Sequence, residues 1–154
     1  WREGKRHGNG QLTFANGTTY IGPFHMGQYH GKGVLKSANS VFEGMFVNGK
    51  MEGFGVQKMT DGSVFEGEYW DGRPHGKGLR KFKSGAEYKG EFRWGCFDGE
   101  GEYLYDDGST YRGFWKADMR DGFGVWEQSG GDRFSGLWLQ DVALNGKGVR
   151  INRQ

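Results

Sequence analysis

Apolar and polar positions alternate along this chain in short bursts, and the bursts recur. In Tyr88–Gly108, reading YKGEFRWGCFDGEGEYLYDDG, an aromatic, a glycine and a second aromatic stand two residues apart. Lys89 and Glu91 occupy the positions between them. Side chains two apart on a strand share a face, so this is the pattern of a half-buried strand. The triplet returns as Tyr20/Gly22/Phe24, Phe42/Gly44/Phe46, Phe65/Gly67/Tyr69, Tyr111/Gly113/Trp115 and Phe134/Gly136/Trp138. Its first residue recurs at spacings of 22, 23, 23, 23 and 23 residues, a period that marks a repeat array. The glycine leaves a gap between two rings on one face, into which a ring from a neighbouring hairpin is expected to fit.

A turn follows each triplet, most clearly at Asn48-Gly49 and Asp71-Gly72. Paired glycines then open a second strand: Gly31/Gly33, Gly53/Gly55, Gly76/Gly78, Gly99/Gly101 and Gly122/Gly124. That strand closes on another turn, at Asn16-Gly17, Asp61-Gly62, Ser84-Gly85 or Asp107-Gly108. Asn-Gly and Asp-Gly between short strands are strong hairpin signals, because both central residues tolerate positive φ. Each repeat therefore reads as one β-hairpin, and no segment has a helical period of ten residues or more. Residues 1–19 are the tail of a repeat, with Trp1 on the second-aromatic position. Full repeats occupy 20–41, 42–64, 65–87, 88–110 and 111–133, and 134–154 is a terminal repeat or cap. Because the pattern begins in mid-repeat, the chain is expected to be an excerpt of a longer protein. Strands ~4.8 Å apart, two per repeat, predict an all-β, elongated, single-layer antiparallel hairpin solenoid on the order of 60 Å long.

Composition narrows the class. The 154 residues include 31 glycines, nearly three times the average usage of roughly 7%, yet 16% are aromatic, which separates the chain from a disordered linker. Formal net charge is +2, so no nucleic-acid partner is expected. Cys96 is the one cysteine, which excludes an intrachain disulfide and fits a reducing compartment. No apolar run approaches the ~20 residues of a membrane helix.

The pattern Y-x-G-x-F/W-x-x-G-x-x-H-G-x-G-x-x-x-x-x-D-G, recurring over most of the chain, resembles the MORN (membrane occupation and recognition nexus) repeat. There are departures. The 20–41 repeat has Asn39-Ser40 in a shortened loop, and Asp118 and Asp141 stand where other repeats have Gly27, Gly49, Gly72 and Gly95. An extra residue precedes Gly146, and Val149–Gln154 has no second turn. The resemblance implies a non-enzymatic scaffold, cytoplasmic and associated with cytoskeleton or membrane. Similar arrays bind unconventional-myosin tails or build cytoskeletal rings, and others sit beside domains of larger enzymes. The MORN name itself records a proposed phosphoinositide role.

Candidate chemistry is sparse. His7, His30 and His75 precede a glycine at one repeat position, where Glu52, Asp98 and Asp121 stand in other copies. A position filled by any of the three types reads as a turn or ladder residue bonding locally, not as a catalytic histidine. His25 lies outside that register and is expected to be solvated. Cys96, Asp98 and His75 lack the spacing of a zinc site, and the glycine pairs lead into strands, where they cannot cradle a phosphate at a helix N-terminus. No cofactor or metal is expected. Arg80, Lys81, Lys83 and Lys89 form the densest basic patch, read as a solvated face with anionic phospholipid as the alternative ligand. The expected partner surface is an aromatic groove. It comprises the second-position rings Phe46, Tyr69, Phe92, Trp115 and Trp138 with the additional rings Phe54, Trp70, Trp94, Phe123 and Trp126. The partner would be a peptide or a helical segment such as a myosin tail, with self-association as a further expectation.

Overall fold

In the computed structural model, which describes residues 7–144, every regular element is a strand. The chain divides into two compact units, 1–76 and 77–154, and the division falls inside the 65–87 repeat. The first unit contains β1 (Gly8–Thr13), β2 (Thr19–His25), β3 (Gln28–Tyr29), β4 (Gly31–Lys36), β5 (Ser40–Val47), β6 (Lys50–Met59) and β7 (Val64–Trp70). Strand β8 (Arg73–Lys81) spans the division. The second contains β9 (Glu87–Arg93), β10 (Cys96–Leu104), β11 (Thr110–Lys116), β12 (Met119–Glu127), β13 (Arg133–Leu139) and β14 (Val142–Leu144). All lie in one antiparallel sheet whose order follows the sequence, with β3 alongside β2.

The register lines up the glycines. In the first unit Gly44 pairs with both Gly33 and Gly55, and Gly55 also with Gly67. In the second, Gly101 pairs with Gly90 and Gly113, and Gly124 with Gly113 and Gly136. Over each stripe lies the first ring of each repeat. Methyl groups on Gly33 and Gly55 would strike the rings of Tyr20 and Phe42, and on Gly101 and Gly124 those of Tyr88 and Tyr111. The gap beside the triplet glycine is therefore filled by a ring of its own repeat, folded back along its strand, and not by a neighbouring hairpin. The fold-back is fixed by the tyrosine hydroxyls, which donate to the carbonyl three residues on: Tyr20 to Pro23 (2.8 Å), Tyr88 to Glu91 (2.9 Å) and Tyr111 to Phe114 (3.0 Å). A glycine in a strand costs about 1 kcal/mol. A buried ring removes roughly 150–250 Å² from water, about 4–6 kcal/mol, so two glycines per ring are a favourable exchange.

Second-position rings join successive repeats. The Tyr111 ring stands edge-on to Trp115 of its own repeat (5.1 Å) and to Trp138 of the next (5.3 Å). Tyr88 does the same with Phe92 and Trp115, and in the first unit Phe42 with Phe46 and Tyr69. Both rings of every triplet are buried, from Tyr20 to Trp138.

Two turn types alternate. Within hairpins, Met26-Gly27, Asn48-Gly49, Asp71-Gly72, Trp94-Gly95, Ala117-Asp118 and Gln140-Asp141 all take positive φ at both residues, the geometry matched to strand twist. Between hairpins only the glycine does, as at Gly17, Gly62, Gly85, Gly108 and Gly131. There the loop has three central residues, closed for example by Tyr105 N–H on Ser109 O (2.8 Å) and Gly108 N–H on Tyr105 O (3.0 Å). The expectation that Asn16, Asp61 and Asp107 would share the positive φ is corrected. They act through their side chains, accepting from the N–H two residues on (Asp107 from Ser109, 2.8 Å). The loop at Asn39 is one residue shorter, closed by Ser37 N–H on Ser40 O (2.8 Å). Asp118 and Asp141 keep the hairpin turn regular despite replacing glycine. The expectations at Trp1, Gly146 and Val149–Gln154 lie outside the described residues.

Candidate partner-binding surface

Alternation assigns every residue to the ring face or to the opposite face. On the second strand, the residue two beyond the second glycine returns to the ring face beside the buried rings. In the first unit this row is Leu12, Leu35 and Gln57; in the second it is Arg80, Tyr103 and Trp126. All six are half-buried. The row is where the repeats differ most in chemistry while sharing one geometry.

In the first unit the polar member is closed off internally. The Gln57 Oε1 accepts from the Tyr69 hydroxyl (2.9 Å), and its Nε2 donates to Ser40 Oγ (3.2 Å). In the second unit the row is aromatic and continues into the turns. Ring centroids run from Phe82 to Tyr103 (6.0 Å), Tyr103 to Tyr105 (4.5 Å) and Tyr105 to Trp126 (5.2 Å). All four rings are half-buried, and beneath Tyr103 lies the buried Trp115 (5.9 Å). Burial pushes the Tyr103 and Tyr105 hydroxyls above their ordinary range.

Arg120 interrupts the stacking pattern. Its position holds a ring in two other repeats, Tyr29 stacked flat on Tyr20 (3.9 Å) and Phe97 stacked flat on Tyr88 (3.9 Å), and Met51 and Pro74 in two more. Here the guanidinium lies 4.5 Å over Trp138, 5.9 Å from Trp126 and 6.0 Å from Tyr111. It is held there by Asp141, whose Oδ1 accepts from Nε (3.0 Å) and whose carbonyl accepts from Nη2 (3.3 Å).

The groove expected from the sequence is divided by the structure. Phe46, Tyr69, Phe92, Trp115 and Trp138 are core, not surplus, because each is the edge-on partner of a first-position ring. Trp126 is on the ring face, as expected. Phe54 (57% exposed) and Phe123 (51%) stand between paired glycines, one position out of phase, and so lie on the opposite face. There Phe123 is paired across the strands with Leu137. Trp70 (56%) ends β7 and Trp94 (42%) occupies a hairpin turn. The basic patch is also divided. Arg80 lies over the Phe92 ring (5.5 Å), whereas Lys89 faces the other side opposite Glu102. Lys81 is exposed, one position beyond Arg80, and Lys83 is exposed in the turn. Phe82, Tyr103, Tyr105 and Arg120 were missed by the sequence reading. Their signal is the spacing of two from Gly101 and from Arg80, and a charge where two other repeats place a ring.

The His/Glu/Asp position is a ladder, but its bonds are not local. Each side chain accepts from the first turn N–H of the next repeat: His30 from Asn48 (3.4 Å), Glu52 from Asp71 (2.8 Å), Asp98 from Ala117 (3.3 Å) and Asp121 from Gln140 (3.3 Å). The second turn residue completes the joint. Asp118 N–H donates to Phe97 O (3.0 Å) while its Oδ1 accepts from Phe97 N–H (2.8 Å). Asp141 bonds the Arg120 backbone in the same two ways. His25 is exposed, as expected, but not isolated, with its ring 4.9 Å from His7 and 5.3 Å from His30. The Cys96 thiol is pushed up, first by burial and then by the Asp118 carboxylate, which keeps it protonated near neutral pH. Among the described residues no group of three or more His, Cys, Asp or Glu is arranged to hold a metal ion.

Against known proteins, the family described as the MORN repeat matches residues 1–19, 20–40, 42–64, 65–87, 88–110 and 111–133. Among solved structures, the chain is similar to the SAS-4 (dCPAP) TCP domain of Drosophila melanogaster, solved with a proline-rich motif of Ana2 (dSTIL). That likeness has 15% identity and a TM-score of 0.47, covering 84% of this chain and 79% of the other. At that level nothing is carried over from that domain to this chain.

Proposed function

The chain belongs to the MORN-repeat family, and from that premise we propose that it is a non-enzymatic protein-interaction module with its partner site on the ring face of residues 77–144. The observation that carries this reading is the unbroken row of half-buried rings from Phe82 through Tyr103 and Tyr105 to Trp126. Rings already packed on a rigid floor lose little freedom when a partner covers them, and such anchors dominate binding energy at interfaces. The opposite face of the same unit mixes Glu100, Glu102 and Lys89 with the exposed side chains of Phe114, Phe123 and Leu137.

A scaffold follows from repetition. Within each unit, hairpins are locked to one another by rings and by the acceptor ladder, so the surface is presented without folding on binding. Self-association and a place in a cytoskeletal or membrane-bound assembly are parts of the same proposal. The anionic-lipid alternative has less support, because Arg80 and Lys89 face opposite sides and Lys89 stands opposite Glu102.

Panning a random displayed peptide library against the whole chain tests the site. Enriched peptides should bind wild type and Phe54→Ala alike, and lose at least about tenfold in affinity on Tyr103→Ala or Trp126→Ala, a hot-spot-sized effect. Equal capture by all four proteins would remove the ring face from the proposal.

A further inference from the structure

On the face opposite the rings, apolar residues have different neighbours in the two units. In the first unit most stand across from a charge: Met45 pairs with Lys32, Phe54 with Glu68, and Val41 with both Lys36 and Lys58. Ile21, across from Val34, is the exception. Over β12, β13 and β14 the charges stop. Phe123 pairs with Leu137, Leu137 also with Leu144, and Leu139 with Val142. Phe114 joins them from β11 beside Gly122, where an added methyl group would meet its Cβ at 3.0 Å. All six of these residues are 46–59% exposed. Alternating charges keep the first unit's face wet, and here nothing replaces them.

From this we infer that the apolar face of β11–β14 is a homodimer interface, covered by the same face of a second copy of the chain. This rests on the self-association included in the role above and gives it a place apart from the ring face. Six large side chains, about half exposed, leave on the order of 100 Å² each, or roughly 600 Å² per copy, the upper end of what a monomer leaves bare. In a two-fold pair that becomes about 1,200 Å², the area of a specific interface. Composition favours a second copy over a transient partner. Transient interfaces are as polar as the rest of a surface, whereas the core of a homodimer interface is apolar and poor in charge. No charge stands among the six residues. Glu100, Arg112 and Lys116 lie around them on the same face, and with both signs present two rims can meet without net repulsion. A two-fold contact asks only that the patch complement itself, and two sheet faces achieve this by interleaving side chains across about 10 Å.

Sedimentation equilibrium of the full chain, from about 1 to about 200 μM, should show its mass doubling with concentration. Leu137→Glu puts a charge in the middle of the patch at a position already exposed, and should raise the dimer dissociation constant at least about tenfold. Phe123→Lys, of opposite sign, should do the same. Phe54→Glu, on the face opposite the rings in the first unit, and Tyr103→Ala, on the ring face, should leave the dimer intact. In the ¹⁵N-labelled wild type, dilution should shift the amide resonances of Phe123 and Leu137 and leave those of Tyr103 and Tyr105 in place. That measurement decides the matter even if a variant folds poorly. A wild-type chain that stays monomeric overturns the inference and leaves the face to another occupant. A dimer indifferent to both patch charges, or one whose dilution shifts fall on Tyr103 and Tyr105, overturns it as well. If the chain is monomeric while its enriched peptides still need Tyr103 and Trp126, the dimer falls and the ring-face role stands. If Leu137→Glu breaks the dimer while no ring-face variant alters peptide capture, the ring-face role falls and the dimer stands.

Discussion

A methyl group on Gly101 would fall on the hydroxyl and ring of Tyr88. The backbone there has no room to yield, since Gly101 is paired on both sides with Gly90 and Gly113. Gly101→Ala is therefore expected to cost about 3 kcal/mol or more, at the upper end for overpacking, and to lower Tm by roughly 6–12 °C. Gly130 is the control at the same scale. An added Cβ there meets nothing within 4 Å, so Gly130→Ala should stay within about 0.5 kcal/mol of wild type. Thermal unfolding of the two variants side by side checks the claim that the glycine stripe exists for the rings. Equal Tm values would contradict it.

At the scale of the hairpin, most of the fold was legible because strand phase and turn chemistry are written locally. The triplet spacing put both rings of each repeat on one face, and Asn48-Gly49 and Asp71-Gly72 marked turns that the structure contains. What was not legible depends on which strand lies beside which. Phe46 and Trp115 are buried by the first ring of the preceding repeat, contacts across 26 and 27 residues that no local window contains. Phe54 and Phe123 were placed in the groove by counting aromatics without their phase. Asp118 was legible as a departure but not as a gain. Its φ of 72° is strained for a side chain, yet the carboxylate recovers the cost by accepting from Phe97 N–H. Asp118→Gly should thus be nearly neutral, within about 1 kcal/mol, because relief of backbone strain offsets the lost bond. Asp118→Ala keeps the strain and loses the bond, and should cost about 2 kcal/mol. Chemical denaturation that ranks alanine equal to glycine would show that the carboxylate is not part of the joint.

Over the whole molecule the first-position tyrosines make the fold sensitive to alkaline pH. Tyr20, Tyr88 and Tyr111 are fully buried and donate to backbone carbonyls, whereas Phe42, Phe65 and Phe134 fill the same position without an ionisable group. Burial pushes all three hydroxyls up; Tyr111 is raised to about 12, with the Arg120 charge pulling part of the way back, and Tyr88 is raised further. The unfolded chain ionises its tyrosines near pH ~10. Between that pH and about 12 the folded state therefore holds protons that the unfolded state has lost, so stability falls as pH rises. Each tyrosine contributes a slope of up to about 1.4 kcal/mol per pH unit, fully absent below the unfolded pKa. Urea midpoints should accordingly be flat from neutral pH to about 9 and drop steeply above 10. Tyr111→Phe should lose about 1 kcal/mol at pH 7 with its hydroxyl bond, yet show a shallower alkaline decline, so that the two curves converge as pH rises. Parallel curves would mean that the buried hydroxyls are not what the alkaline transition titrates.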